Sequence, residues 1–186
     1  RVLFRSDAPT GSVTISGTAK QGETLTAANT LADVDGLGTI SYQWYADDVA
    51  ITGATGSTLV LAQAQVGKAI TVKASYTDAQ GTAESVTSTA TAKVLNINDA
   101  PTGSVTIAGT PTQGQTLTAT HNLADPDGMG TVAYQWFADG VAITGATSAT
   151  LVLGQAQVGK SITVKASYTD AQGTTESMTS AVTAKV

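Results

Sequence analysis

Residues 42–78 read YQWYADDVAITGATGSTLVLAQAQVGKAITVKASYTD, and their pattern sets the fold. Tyr42, Trp44 and Ala46 fall on one side of an extended chain, with Gln43 and Tyr45 on the other. Ile70, Val72, Ala74 and Tyr76 repeat the alternation further on. A period of two marks strands that lay one face on a core. Between these rows Asp47-Asp48 reads as a tight turn, Val49 and Ile51 as a short strand, Leu59 and Leu61 as another, and Ala64-Gln65-Val66-Gly67 as a corner. Working outward, Val13 and Ile15 form a first strand, and Leu25 and Ala27 a second, entered after a Gln21-Gly22 turn. Ile40 extends the row of Trp44, and residues 85–94 make a closing strand. No window carries a helical period.

The same stretch recurs at 134–170 as YQWFADGVAITGATSATLVLGQAQVGKSITVKASYTD, where the turn becomes Asp139-Gly140, a strong hairpin dipeptide. Residues 7–94 align with 99–186 at a constant offset of 92 and without a gap, and 67 of the 88 positions are identical. The 186 residues therefore divide into two similar domains rather than one large one. Expected bounds are 7–95 for the first repeat, 96–101 for a linker and 102–186 for the second. Arg1-Val2-Leu3 matches Lys93-Val94-Leu95, so residues 1–6 read as the end of a preceding repeat or as residues added to the natural chain.

About seven short strands per copy, with a tryptophan on the third and turns every 8–12 residues, predict an all-β chain of two tandem immunoglobulin-like β-sandwiches placed end to end. The cysteine pair that brackets such a tryptophan is absent, as is the tyrosine at the corner before the sixth strand. The two quoted stretches resemble the immunoglobulin-like repeats of large bacterial surface proteins, especially the tandem extenders of RTX-type adhesins exported by one-step (type I) secretion. Similar modules also decorate secreted hydrolases. The resemblance implies a non-catalytic extender at the extracellular bacterial surface, in a setting of cell adhesion and biofilm. Its neighbours would be further repeats of the same chain.

Composition narrows the classes further. A net charge of -5 and the lack of a basic stripe argue against nucleic acid. Zero cysteines exclude disulfides and thiolate metal sites. No run of 18 apolar residues or signal peptide occurs, so no membrane insertion is expected of this segment.

The most suggestive constellation is acidic. In this topology the loop after the second strand, the loop after the sixth and the start of the first meet at one pole. Asn98, Asp99, Asp125, Asp127 and Asp170 are thus expected to converge on an oxygen-rich site at the top of the second module, beside the Asn96-Ile97-Asn98-Asp99-Ala100-Pro101 linker. Ca²⁺ takes six to eight oxygens in flexible geometry, which such loops supply. The linker also resembles the calcium-binding linkers of cadherin-type repeats. Asp7, Asp33, Asp35 and Asp78 form the equivalent set in the first module, expected to be weaker because Ser6 replaces Asn98. Glu84 and Glu176 read equally as extra ligands or as solvated strand ends. The competing account is that Asp-x-Asp-Gly is turn chemistry, its carboxylates serving nearby amides; it is not an EF-hand, lacking the closing glutamate.

Catalysis is hard to assemble. The single histidine, His121, has Asn29 as its counterpart and reads as an exposed polar residue rather than a base. Asp33 and Asp35 have no apolar pocket to split their pKa values. Gly128-Met129-Gly130-Thr131-Val132-Ala133 fits a glycine-rich dinucleotide pattern, but no helix follows and the first copy ends in Ser41. Tyr45 and Phe137 lie on the outer face of the third strand, suited to cross-strand packing or to stacking on a sugar. The alternative function is therefore a carbohydrate- or protein-binding module, accessory to a secreted hydrolase, with a surface glycan or protein as ligand.

Overall fold

A computed structural model describes residues 7–186. The readings made of residues 1–6, Ser6 included, lie outside the described residues. The chain divides into two compact units that follow one another in sequence between Ile97 and Asn98.

In the first unit the strands are β1 (Val13–Ser16), β2 (Thr24–Asn29), β3 (Ser41–Ala46), β4 (Val49–Ala50), β5 (Thr58–Val60), β6 (Ile70–Thr77) and β7 (Ala83–Thr87). They build a three-stranded sheet in the order β1-β2-β5 and a four-stranded sheet in the order β4-β3-β6-β7. All pairings between these named strands are antiparallel. The second unit repeats this with β8 (Val105–Ala108), β9 (Thr116–His121), β10 (Ala133–Ala138), β11 (Val141–Ala142), β12 (Thr150–Val152), β13 (Ile162–Thr169) and β14 (Thr175–Thr179), in sheets β8-β9-β12 and β11-β10-β13-β14. Over its described residues the protein is all-β, with two tandem immunoglobulin-like sandwiches of seven strands each.

The alternating rows pack as their spacing requires. Trp44, Leu25, Leu61, Ile70 and Val72 are fully buried in the first core, and Trp136, Leu117, Leu153, Ile162 and Val164 in the second. No disulfide spans either core, and the indole supplies a bond of its own. Trp44 Nε1 donates to the Gly56 carbonyl at 2.9 Å and Trp136 Nε1 to that of Ser148 at 2.8 Å. A buried indole N–H left unpaired costs about 1–3 kcal/mol, so this bond fixes the orientation of the largest core side chain.

Three local expectations need correction. Val49 is 71% exposed, because although it pairs with the inward-facing Ala46, β4 is a two-residue edge strand too short to cover it. The corner at 64–67 is a 3₁₀ turn over Gln63–Gln65, tied by Gln65 Oε1 accepting from the Ala62 amide at 3.0 Å. The closing strand starts earlier than residue 85 and ends at Thr87. Beyond it, hydroxyls stand in for the ladder: Ser88 Oγ accepts from the Val72 amide and Thr91 Oγ1 from the Ile70 amide, each at 3.0 Å. Side-chain oxygens that compete for backbone donors break a strand that alternation alone would prolong.

The β3–β4 turn needs two residues at positive φ, as type I′ hairpins do. Asp47 (46°) and Asp48 (64°) supply them in the first repeat, and Asp139 (48°) and Gly140 (79°) in the second. Asp47 also accepts from the Ala69 amide at 2.9 Å through Oδ1.

Candidate metal centre

The acidic pole is built by three local devices. First, Asp78 closes the β6–β7 hairpin. Its Oδ1 accepts from the amides of Gln80 (2.9 Å) and Thr82 (2.7 Å), while its own amide donates to the Thr82 carbonyl. That register sets Tyr76 directly opposite Glu84 on the inner face at the sheet's end. Second, the loop after β2 folds on itself, with Asp33 Oδ1 accepting from the Asp35 amide at 2.8 Å. Third, this loop lies hard against the hairpin. The Ala79 amide donates to the Asp35 carbonyl at 3.1 Å, and a Cβ on Gly38 would stand 2.0 Å from the Thr77 carbonyl oxygen. Only glycine allows that approach. Asp33, Asp78 and Glu84 consequently each present an oxygen within 4.8 Å of the others.

In the second repeat Asp125, Asp170 and Glu176 form the same triad within the same distance. Asp125 Oδ1 accepts from the Asp127 amide at 2.8 Å. Asp170 is 6% exposed, and its Oδ1 accepts from Gln172 and Thr174 amides, both at 2.8 Å. Its Oδ2 is buried and has no hydrogen-bond partner. Turn chemistry accounts for the first oxygen and leaves the second unexplained. A buried carboxylate oxygen without a donor is expensive, and a bound cation would satisfy it.

The triads fit a hard divalent cation. Every donor is oxygen, the groups come from separate loops that can adjust, and three carboxylates so close repel one another unless charge is neutralised. A tyrosine moderates each cluster. Tyr76 donates its hydroxyl proton to Asp33 Oδ2 at 2.5 Å and lies 3.1 Å from Glu84 Oε2; Tyr168 donates to Asp125 Oδ2. Burial, then the hydrogen bond to the neighbouring aspartate, pushes both phenols well above their ordinary value of 10.0, so they remain protonated donors.

Of the residues expected to bind metal, Asp125 and Asp170 meet directly, as do Asp33 and Asp78. Asp127 is buried, 2% exposed, and its Oδ2 accepts from the Asp99 amide at 2.7 Å; Asp35 Oδ2 accepts likewise from the Asp7 amide at 2.7 Å. These four anchor the strand entering each unit. Asn98 reaches the triad through Glu176, its Nδ2 donating to Oε1 at 2.6 Å. The tyrosines were read as core residues alone. Their signal was present, because Tyr-x-Asp and Thr-x-Glu flank one hairpin and set a phenol across from a carboxylate.

The remaining candidates are plainly placed. His121 is exposed, its Nδ1 accepting from the Leu123 amide at 3.3 Å, much as Asn29 Oδ1 accepts from that of Leu31. Tyr45 and Phe137 are half-buried, directly opposite Thr71 and Thr163. A shallow depression of about 250 Å³ beside Tyr45 is lined by Asp48, Thr71, Lys73 and Thr87. Gly130 serves packing, since a Cβ there would stand 2.1 Å from the Thr169 carbonyl oxygen.

No protein-family model and no curated protein sequence matches the chain. Solved structures do. One is the three N-terminal domains of the bacteriophage RB49 Highly Immunogenic Outer Capsid protein (Hoc), at 20% identity and a TM-score of 0.33, covering 92% of this chain and 58% of that one. Another is a tetra-tandem repeat in the extending region of a large adhesion protein, at 23% identity and 0.33, covering 94% and 49%. A third comprises Clostridium thermocellum CbhA fibronectin(III)-like modules, at 16% identity and 0.29, covering 90% and 92%. The chain thus spans about half the length of the first two. Among its described residues no helix is long and apolar enough to cross a membrane.

Proposed function

We propose that this chain is a non-catalytic structural segment of a bacterial cell-surface adhesin, in which tandem immunoglobulin-like modules extend the protein and calcium at their acidic poles stiffens them. One observation carries the cation: a carboxylate triad built twice from the same loops, with a buried, unpartnered Asp170 Oδ2 in the second copy. The duplication supports a role for each module as a unit, because both copies keep the triad while His121 has no equivalent.

When bound, calcium would neutralise the carboxylates and add bonds between loops that otherwise touch through a few amides. Asp33 and Asp125 would tie in the loop after the second strand, and Asp78 and Asp170 the hairpin that follows the sixth. Asp35 and Asp127 hold the entering strand through the amides of Asp7 and Asp99. Extracellular calcium, at millimolar levels, suits the affinities of about 10⁻⁴–10⁻³ M usual for outside modules. Calcium titration calorimetry, paired with small-angle X-ray scattering in calcium and in chelator, tests the proposal. Measurable uptake and a narrower spread of chain dimensions are expected. Absence of both would sink it.

A further inference from the structure

We propose that the outer face of the four-stranded sheet in the first repeat binds a neutral polysaccharide, gripped at Tyr45, Asp48 and Lys73. The depression of about 250 Å³ beside Tyr45 brings together an aromatic ring, a carboxylate, an ammonium and the hydroxyls of Thr71 and Thr87. Register sets these strand residues on one face: Tyr45 lies opposite Thr71, and Lys73 opposite both Gln43 and Thr87. The fold makes no use of the three polar ends. Among the described residues the Tyr45 hydroxyl, the Asp48 carboxylate and the Lys73 ammonium make no hydrogen bond or ion pair, whereas the neighbouring Asp47 accepts from the Ala69 amide. Asp48 also stands at φ 64°, where the second repeat has Gly140. An aspartate held in the left-handed region without a structural bond presents a carboxylate at a turn position that glycine fills without strain.

That set matches a sugar ring. The half-buried phenol offers a flat face, negative at its centre, to the ring's C–H groups. Asp48 can accept from two sugar hydroxyls while Lys73 donates to a third. A second depression, of about 390 Å³, shares Lys73 and continues along the same face past Ser41, Ser75 and Ser85. Both are shallow and open, which suits consecutive residues of a chain lying across the sheet rather than one enclosed sugar. Charge selects a neutral polymer. Lys73, the cation common to both depressions, stands with Asp48 in one and Glu84 in the other, so a sugar acid would meet a carboxylate in either. The second repeat keeps Thr163, Lys165 and Thr179 but has Phe137 for Tyr45 and Gly140 for Asp48, which removes the acceptor.

The test runs the whole 186-residue chain on native gels containing dextran, mannan or hydroxyethylcellulose, with alginate as the anionic comparison; retardation against polymer concentration reads the affinity. No cation enters this grip, so calcium and chelator should give the same result, and failure here leaves the cation reading intact. Retardation by at least one neutral polymer and none by alginate is expected. Asp48→Gly copies the second repeat and so keeps the fold; it and Lys73→Met are each expected to weaken binding about 10-fold, as loss of a charged hydrogen bond does. Tyr45→Ala should abolish binding and Phe137→Ala should leave it unchanged. Phe137→Tyr combined with Gly140→Asp is expected to add a second site. No retardation in any of the three neutral polymers, retardation as strong in alginate, or retardation undiminished by Asp48→Gly and Tyr45→Ala would overturn the assignment.

Discussion

Asp170→Asn separates turn chemistry from cation binding. The substitution keeps an oxygen at the position of Oδ1, where the Gln172 and Thr174 amides donate, and removes the charge that Oδ2 carries among Asp125 and Glu176. At an effective dielectric of about 20, two charges at that separation repel by roughly 3 kcal/mol. The variant sheds two such pairs and weakens two amide bonds by about 1 kcal/mol each, the difference between charged and neutral acceptors. In chelator it should melt at or above wild type. Calcium reverses the order. With a dissociation constant of about 10⁻⁴–10⁻³ M, 10 mM calcium stabilises wild type by about 1.4–2.7 kcal/mol, or roughly 6–20 °C for a domain of this size. Asp170→Asn should lose that shift in the second repeat. Differential scanning calorimetry in calcium and in chelator reads both quantities. If the variant melts well below wild type in chelator, or keeps the full calcium shift, the carboxylate is a turn residue and the argument for a cation fails.

Three other outcomes follow from the same geometry. Asp48→Gly removes a non-glycine residue at φ 64° and copies Gly140 of the second repeat; urea denaturation should show a gain of about 1 kcal/mol, and Gly140→Asp a comparable loss. Both tyrosines titrate higher when folded than the ordinary 10.0. The folded state therefore holds its protons longer, stability is complete below about pH 10, and it declines as pH rises beyond, which denaturation from pH 8 to 11 should trace and Tyr76→Phe with Tyr168→Phe should flatten. Gly130→Ala forces a Cβ to within 2.1 Å of the Thr169 carbonyl oxygen, so it should push the Asp125 loop off the hairpin, lower the melting temperature, and reduce the calcium shift together with it.

Much of the fold was legible because burial in these repeats is written in alternation. Ile70, Val72, Ala74 and Tyr76 were assigned inward and all four are buried. Where alternation misled, a side chain had replaced a backbone partner. Residues 88–94 keep a plausible strand pattern, yet the Ser88 and Thr91 hydroxyl oxygens accept from the neighbouring strand's amides in place of carbonyl pairing on one side. Val49 alternates correctly but sits on a strand too short to bury it. At the pole, the aspartates were evident from repetition. The part taken by Glu84 and Glu176 was not, since a strand-end glutamate looks the same whether it meets solvent or a phenol. Only the register across the hairpin, Tyr76 against Glu84, distinguishes them.

Gln21 and Asp127 give the repeat a definite grammar. The Ile97 amide donates to Gln21 Oε1 at 3.0 Å in the first unit, while the Asp99 amide belongs to Asp127 in the second. The first module thus holds the chain that leaves it through Gln21 and the chain that enters it through Asp35, and the second holds its entering chain through Asp127, each with residues of its own. A gene that gained or lost one whole copy would encode every junction afresh from parts already present. Array length is then free to vary without redesign of the joints, whereas an insertion of even one residue between Ile97 and Asp99 would separate two anchors set a single residue apart.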